Sequence, residues 1–402
     1  MKWQRLIGIV LPTAAAISAA YPLVAQQKPA SGPIARYDMR AGTVSGFGGG
    51  GRGGALGMMF GGGQSANVQH ELYLRLGSSQ SPVKGNPKAD HFMPPGVKVG
   101  KSVALVTPRE EPVPDQLPQK PKGRLLIFWG CGEHVTKGQP VVIDFAKVAA
   151  GQVPPGLWTS TILRDWGPDL HNSRTFGRWP AEDGKYVKAD SSLPGPHRVV
   201  ANYGPEIAFT LARDFMAPLS VRTASTPTGA TLASWTGIAG STGYLVGLFG
   251  GKQGPGGEMG DMVMWTSSAT RQFGGGLADW LSPGQVAQLV KDKTVLPPTA
   301  TTCTIPAEVN AAAPDFRVGT LTAFGPEEDF SYPPRPTDAR TPWNLEWTAR
   351  IRHRSTTSWM QMQGMSMGSM GAQGASQPPA ECKRKGGLGG MLGGVLGSGS
   401  GC

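Results

Sequence analysis

Short runs of alternating apolar and polar residues, separated by glycine and proline, constrain the fold of this chain more than any other feature. The alternation of Leu72, Leu74 and Leu76 with polar neighbours has the period of a half-buried strand. Similar strand candidates lie at residues 97–106, 125–129, 141–145, 207–211, 261–267, 301–305, 317–324 and 345–352. One stretch, 282–290, has the serine cap and the first-turn proline of a short helix. The sequence therefore predicts a mostly β protein of two β-sandwich-like domains with a short helix.

Glycine and proline content divides the chain into segments. The 59 glycines and 36 prolines approach the fraction at which low-complexity segments are expected, and the glycines concentrate toward the two ends. Poly-glycine cannot bury a core and loses much conformational entropy on ordering, so both flanking segments are predicted to be disordered. The predicted organisation is a signal peptide at 1–25, a Gly-rich linker at 26–66, a β-rich domain at 67–215, a second β domain at 216–355 and a Met/Gly-rich, low-complexity tail at 356–402.

The N-terminus has the pattern of an export signal. Lys2 and Arg5 flank the start of an apolar run at 6–17, and small residues such as Ala25 offer cleavage positions. The run is shorter than the roughly 20 residues that a membrane-spanning helix needs, which leaves an uncleaved anchor as the alternative. We therefore predict a periplasmic or secreted protein.

The chain is basic, with a formal net charge of +11. Arg350, Arg352 and Arg354 form one cluster, and a second lies at 383–385. A mild positive excess suits contact with anionic envelope polymers, with a membrane surface or with other envelope proteins. Nucleic acid is not a predicted partner, because an exported chain rarely meets it and no binding motif is visible. The sequence leaves the oligomeric state open.

The segment WTGIAGSTGYLV places Trp235 nine residues before Tyr244, with glycines marking a turn between two strands. This spacing resembles the second and third strands of fibronectin type III domains, over about residues 220–270. The resemblance implies an immunoglobulin-like β-sandwich core with Trp235 and Tyr244 inside, within the domain predicted at 216–355. Domains of this kind usually serve adhesion, spacing or recognition. The pattern is lost after residue 270, where the helix candidate at 282–290 follows.

Four cysteines, Cys131, Cys303, Cys382 and Cys402, are an even number in a chain predicted to enter an oxidising compartment. Four cysteines allow three pairings. The ordered-looking surroundings of Cys131 and Cys303 favour a bond between them, and Cys382 with Cys402 would close a loop in the tail. The alternative is that some of the thiols stay free.

A catalytic or metal-binding group is weakly indicated beside the strand candidate at 125–129. Cys131 could act as a nucleophile with His134 as its base and Glu133 orienting the imidazole. Cysteines of exported proteins mostly pair, so the chain is not favoured as an enzyme, and no cofactor is predicted. The adjacent acids at 327–329 are interpreted as a solvated turn or a calcium ligand set.

A tryptophan-rich loop is the second candidate site. Tryptophans can stack on sugar rings while carboxylates accept hydrogen bonds from sugar hydroxyls, which predicts a carbohydrate site. The alternative is that the tryptophans cover an edge of the core. The candidate residues are Trp158, Trp166, Trp179, Asp165 and Asp169.

A methionine-rich segment near the C-terminus is the third candidate. Thioether sulfur is a soft ligand that favours Cu(I), and the periplasm is a compartment where such ligands meet copper. The alternative is compositional bias of a flexible tail. The candidate ligands are Met360, Met362, Met365, Met367 and Met370.

These patterns do not identify one biochemical function. The leading hypothesis is a non-enzymatic structural or interaction protein associated with the cell envelope. A carbohydrate-binding or glycan-cleaving protein and a periplasmic copper-binding protein are the alternatives. Aromatic side chains converging on a groove would favour the second, and Cu(I) uptake that depends on residues 356–402 would establish the third.

Overall fold

The structure is a computed structural model. It describes residues 32–47, 68–108, 123–152, 163–181, 186–253, 259–272, 274, 276–338, 340–362 and 365–366. Within these residues the chain is mostly β, with several sheets and three helices, which confirms the predicted fold class. The predicted signal peptide, Trp158, Met367, Met370, Cys382 and Cys402 lie outside the described residues.

An eleven-stranded sheet forms the centre of the fold. Two of its strand pairs are parallel, Ala35–Gly46 with Trp347–Met362 and Arg124–Trp129 with Met259–Thr266, and its other pairs are antiparallel. The order across the sheet is β6 (Val141–Asp144), β5 (Arg124–Trp129), β14 (Met259–Thr266), β13 (Gly243–Gln253), β16 (Phe316–Tyr332), β17 (Trp347–Met362), β1 (Ala35–Gly46), β2 (Gln69–Ser78) and β7 (Thr175–Trp179). Two short strands extend it, β8 (Tyr186–Val187) on β2 and β18 (Met365–Ser366) on β17.

Two smaller sheets and three short helices complete the described fold. The four-stranded sheet has the order β10 (Ile207–Leu211), β9 (Gly195–Ala201), β3 (Ala89–Phe92) and β4 (Ser102–Ala104). The three-stranded sheet has the order β11 (Val221–Ser225), β12 (Thr231–Trp235) and β15 (Thr302–Ile305). The helices are α1 (Phe145–Ala149), α2 (Pro283–Lys291) and α3 (Ala307–Ala312), and Pro95–Val97 form a single 3-10 turn.

The helix predicted from Ser-Pro is α2, and its first turn explains its start. The Ser282 side chain accepts a hydrogen bond from the Gln285 amide, and the Gln285 side chain accepts one from the Ser282 amide. This reciprocal capping satisfies two amide groups that a helix start otherwise leaves unpaired. Val286 and Leu289 then lie on the buried side of the helix, where they pack in a small apolar cluster with Leu277.

The alternation predicted for β2 explains one core. Leu72, Leu74 and Leu76 are fully buried with Tyr37 and Met39 of β1, in a cluster that includes residues of the four-stranded sheet. Each such side chain contributes about 1.5–3 kcal/mol through burial. A second cluster contains Trp235 of β12 and Tyr244 of β13, whose ring centroids are 5.6 Å apart. This contact joins the three-stranded sheet to the large one.

A hydrogen-bonded chain of aromatic side chains crosses the first core. The Tyr37 hydroxyl lies 2.7 Å from His91 Nδ1, and His91 Nε2 lies 3.0 Å from His197 Nδ1. His197 Nε2 lies 2.8 Å from the Leu193 carbonyl oxygen. Because a carbonyl only accepts, His197 carries its hydrogen on Nε2, so its Nδ1 accepts from His91, whose Nδ1 accepts from Tyr37. Burial lowers the pKa of both imidazoles, which favours their neutral forms and this direction of the chain.

The observed strands differ from the predicted organisation in three respects. β1 occupies residues 35–46, inside the predicted linker 26–66, and β17 extends to Met362, inside the predicted tail. The large sheet takes strands from both predicted β-rich regions, so it joins them across residue 215. β1 does alternate, with buried Tyr37 and Met39 on one side, but its other side carries charged residues, and the glycine-rich context concealed the strand.

The disulfide predicted between Cys131 and Cys303 is present. It links the segment after β5 to β15, with 5.3 Å between the Cα atoms. Disulfides of this kind are typical of proteins in oxidising compartments. Among the described residues, no helix is both long and apolar enough to cross a membrane.

Candidate functional site

Charged side chains collect on one face of the large sheet, where β1 lies between β17 and β2. The parallel register places Asp38 beside Arg350 and Arg40 beside Arg352. The antiparallel register places Asp38 beside Arg75 of β2. Because every second residue of a strand points to the same face, these side chains share one side of the sheet, opposite the apolar core.

Asp38 is the centre of this charged cluster. Its side chain is 1% exposed and accepts hydrogen bonds from Arg352 at 2.8 and 2.9 Å, from Arg40 at 2.9 Å and from Arg350 at 3.2 Å. Burial alone would raise the pKa of Asp38, but the charges of Arg352, Arg40 and Arg350 hold it below its ordinary value. Asp38 is therefore ionised and fixed in place at neutral pH.

A second carboxylate reaches the cluster from the loop before β7. Asp165 forms ion pairs with Arg40, with Arg75 at 3.1 Å and with Arg352 at 3.1 Å. Partial burial would raise the pKa of Asp165, but these arginines and the Gly167 amide lower it to about 2. Four guanidinium groups thus surround these two carboxylates.

The same row of charges continues along β17. Arg354 donates to Glu71 at 2.7 Å, and its guanidinium carbon lies 4.1 Å from the centre of the Trp280 ring. Gly42 makes this pair possible, because a Cβ atom at that position would lie 2.5 Å from the Glu71 Cγ atom. Arg352 also donates to the Trp280 carbonyl, so the segment before α2 covers this part of the cluster.

Beside the cluster, Trp166 stands between two open cavities. Its side chain belongs to the loop that carries Asp165, and the residue is 67% exposed. One cavity of about 340 Å³ also includes Trp343, Asp329 and Arg350, and the other, of about 510 Å³, includes Asn172. Both cavities are lined by Arg36 and Trp166, so we treat them together as the Trp166 groove.

Three arginines around the Trp166 groove have no carboxylate partner within the described part of the chain. Arg36 donates to the Asn172 carbonyl at 2.9 Å and to its side-chain oxygen at 2.6 Å. The guanidinium carbon of Arg164 lies 5.9 Å from the centre of the Trp166 ring, and that of Arg335 lies 5.8 Å from the centre of the Trp343 ring. Each groove tryptophan thus has a cation beside its indole.

The other residues predicted for the carbohydrate site have different roles. Trp179 is 9% exposed and belongs to the first core, so for this residue the core interpretation is correct. The Asp169 carboxylate accepts hydrogen bonds at 2.8 Å from the amides of His171 and Asn172, which shapes the loop. Trp166 and Asp165 lie beside the cavities described above, and their role in ligand binding stays a prediction.

The group Cys131, Glu133 and His134 does not form a nucleophile with its base. The Cys131 sulfur is bonded to Cys303 and carries no free thiol. His134 Nδ1 lies 3.0 Å from Glu308, and Glu133 accepts a hydrogen bond from Thr226 at 2.8 Å. These side chains are tied to neighbouring loops and are not arranged around a reacting group.

The methionines predicted as copper ligands fall on a hairpin. Met360 and Met362 belong to β17, and the register pairs Met362 with Met365 of β18. Among the described residues, no group of three or more His, Cys, Asp or Glu side chains could hold a metal ion.

The acidic residues at 327–329 lie on β16 and not in a turn. The antiparallel register places Glu327 beside Arg352 and Asp329 beside Arg350. Burial and the neighbouring Asp329 raise the pKa of Glu327 to about 7. The interpretation of a fully solvated turn is therefore wrong for this segment.

Sequence reasoning missed the partners that β1 and the chain beyond 330 bring to Trp166. Arg36 comes from a strand that was assigned to a linker, and Trp343 lies in the connection before β17. The signal for Arg350 and Arg352 was present, since both were recognised as a basic cluster. Their burial against Asp38 could not be read from spacing, because the two strands lie at opposite ends of the chain.

Comparison of the chain with protein-family models, with curated proteins and with solved structures finds no match.

Proposed function

We propose that the chain is an exported, non-enzymatic glycan-binding protein of the cell envelope, with the Trp166 groove as its binding site. The observation that carries this proposal is the exposure of Trp166 between two adjoining cavities. The Trp166 residue is 67% exposed and lines both cavities, so its flat aromatic face is open to stack on a ring-shaped ligand. Export is supported by the N-terminal sequence pattern and by the disulfide.

Two cavities that meet at one tryptophan favour a ligand of several sugar units. Each volume lies within the range of small-molecule sites, and both cavities combine apolar surface with a few polar groups. A sugar ring would stack on Trp166 while its hydroxyls reach Asn172 on one side or Asp329 on the other. The groove would then take a segment of a longer polymer.

The charge state of the cluster favours binding over cleavage. A glycosidase needs one carboxylic acid that is protonated before the reaction. Asp38 and Asp165 are both held ionised by arginine, and their role is to fix the floor and wall of the groove. Glu327, whose pKa is raised, lines neither cavity of the groove.

The test is calorimetric titration of the purified protein with a panel of soluble polysaccharides, together with the Trp166→Ala variant. Loss of a central aromatic anchor is expected to weaken binding about tenfold or more. Phe249→Ala, which removes another exposed aromatic side chain outside the groove, is the matched control and should bind normally. Wild-type protein that binds no polysaccharide, or that releases reducing ends from one, would contradict the proposal.

One further observation supports copper binding as a second candidate function. The hairpin register pairs Met362 with Met365, so these two residues lie on neighbouring strands. Titration with Cu(I) under anaerobic conditions tests it. Tight stoichiometric uptake that is lost in a Met362→Leu, Met365→Leu variant would support it, and uptake that is unchanged in this variant would exclude these ligands.

A further inference from the structure

We infer that the glycan bound at the Trp166 groove is acidic, carrying carboxylate groups that the unpaired arginines Arg36, Arg164 and Arg335 recognise. This inference rests on the proposed function, because it names the substrate class of the same site.

Arg36 is the arginine best placed for direct recognition. It lies between the two cavities and lines both, so its guanidinium faces the path of any ligand that spans them. Its Nη2 atom donates to two oxygens of Asn172, and no ion pair with a described carboxylate neutralises it. The Asn172 contacts fix the planar group without cancelling its charge. The fixed guanidinium can then donate a charge-assisted hydrogen bond to a carboxylate through Nε or Nη1.

Arg164 and Arg335 each place a cation beside a tryptophan of the groove lining, Trp166 and Trp343. Each guanidinium lies within 6 Å of a tryptophan ring centre, beside an exposed segment of chain. Aromatic surface together with an unpaired cation matches a sugar ring that carries a negative charge. A neutral glycan would leave three guanidinium groups unused.

The ion pairs beneath the groove add to this effect. Asp38 and Asp165 are shared among Arg40, Arg75, Arg350 and Arg352, and Asp329, which lines one cavity, lies beside Arg350. Each of these carboxylates therefore has an arginine neighbour, which leaves the three unpaired arginines available to a ligand. These arginines would attract the negative charges of a ligand, and the attraction would weaken as added salt screens it.

A single-stranded nucleic acid also presents rings and negative charges. The observations favour a saccharide, because the disulfide and the N-terminal pattern point to an oxidising, extracytoplasmic location. An oligonucleotide therefore serves as a comparison ligand in the test.

The experiment compares two forms of one polymer, polygalacturonate and its methyl ester, which differ in charge and keep the same sugar ring. Calorimetric titration at low salt should give at least about tenfold tighter binding of the acid form, since a charge-assisted contact of this kind is worth about that factor. Arg36→Met should remove most of this preference. Arg222→Met removes an exposed arginine of β11 outside the groove and should keep the preference. Because both variants lose one positive charge, comparing them separates a local contact of Arg36 with the ligand from the effect of the protein's net charge on binding.

Arg164→Met is the second groove variant, since its side chain donates no described hydrogen bond and its loss should not disturb the loop. It should also reduce the preference for the acid form.

Four outcomes would overturn the inference. Equal binding of both polymer forms would overturn it while leaving the proposed function intact. An equal loss in Arg222→Met and Arg36→Met would show a general charge effect. Tighter binding of oligodeoxythymidylate than of polygalacturonate would assign the groove to phosphate. Binding of no glycan, acidic or neutral, would overturn the proposed function as well.

Discussion

The buried chain of Tyr37, His91 and His197 should contribute a loss of stability when the protein is acidified. Burial, together with the neighbouring His197, lowers the pKa of His91 well below its ordinary value of 6.5. Burial also lowers the pKa of His197, against the opposing effects of the Leu193 carbonyl and Glu328. A second proton on His91 would reverse the contact with Tyr37, because Nδ1–H would then donate and the Tyr37 hydroxyl oxygen would have to accept.

The sign and size of the effect follow from proton linkage. As pH falls through 6.5, the unfolded chain protonates at His91 and the folded chain does not, so stability that is present above this pH is lost below it. Between about pH 7.5 and about pH 5.5 the loss is about 1.4 kcal/mol for His91 alone. Glu327 acts with the opposite sign, because its raised pKa gives stability as pH falls from about 7.

The assay compares variants, so that the contribution of Glu327 cancels. Urea unfolding is followed by tryptophan fluorescence at both pH values for wild type, for His91→Gln and for His171→Gln, an exposed histidine. The His91→Gln variant should lose about 1.4 kcal/mol less than wild type on acidification, and His171→Gln should behave as wild type.

The same pH dependence in wild type and His91→Gln would refute this reasoning. If the variant fails to fold, NMR of the wild-type imidazole nitrogens decides the question. Signals showing that His91 becomes charged near its ordinary pKa in the folded protein would contradict a neutral buried chain.

Two further predictions concern the disulfide and the charged cluster. Replacing Cys131 and Cys303 by alanine opens a loop with a sequence separation of 172, which lowers the urea-measured stability by up to about 5 kcal/mol in the chain-entropy treatment; an unchanged midpoint, or free thiols in non-reducing peptide mapping, would contradict it. Asp38→Asn removes one of the two carboxylates that pair with the buried Arg352 and should cost about 3–5 kcal/mol. Asp190→Asn, which breaks an exposed pair with Lys98, should change stability little, and equal effects of the two variants would refute the distinction.

The parts of the fold that could be predicted from the sequence are those that local periodicity determines. The alternating leucines of β2 and the alternation of Trp347, Ala349 and Ile351 in β17 both mark one buried face, and both strands are present. The capping residues of α2 are similarly local. β1 was missed because its polar face carries Asp38 and Arg40, whose charges are neutralised only by distant strands. The two-residue alternation of a strand does not show which distant strand it pairs with, so pairing between the two ends of the chain could not be predicted.

The candidate site was predictable in part for the same reason. Trp166 and Asp165 lie in one loop, so their composition indicated a ligand site. Trp179 has the same composition signal and lies in the core, since it belongs to β7, and its place in that strand decides its burial. Arg36 and Trp343 reach the groove from segments far away in sequence. Their contribution is a property of the tertiary fold.

The parallel pairing of β1 with β17 also determines when the large sheet can be completed. Asp38 and Arg350, which it brings together, are 312 residues apart in sequence. Contacts of such separation form late, because a long loop must close before they are gained. Until β17 has been synthesised, β1 and β16 each expose an unpaired strand edge, the kind of surface on which chains aggregate. A chain that stops before residue 347 would therefore lose β17 and would also keep two unpaired strand edges, prone to aggregation, at the centre of its largest sheet.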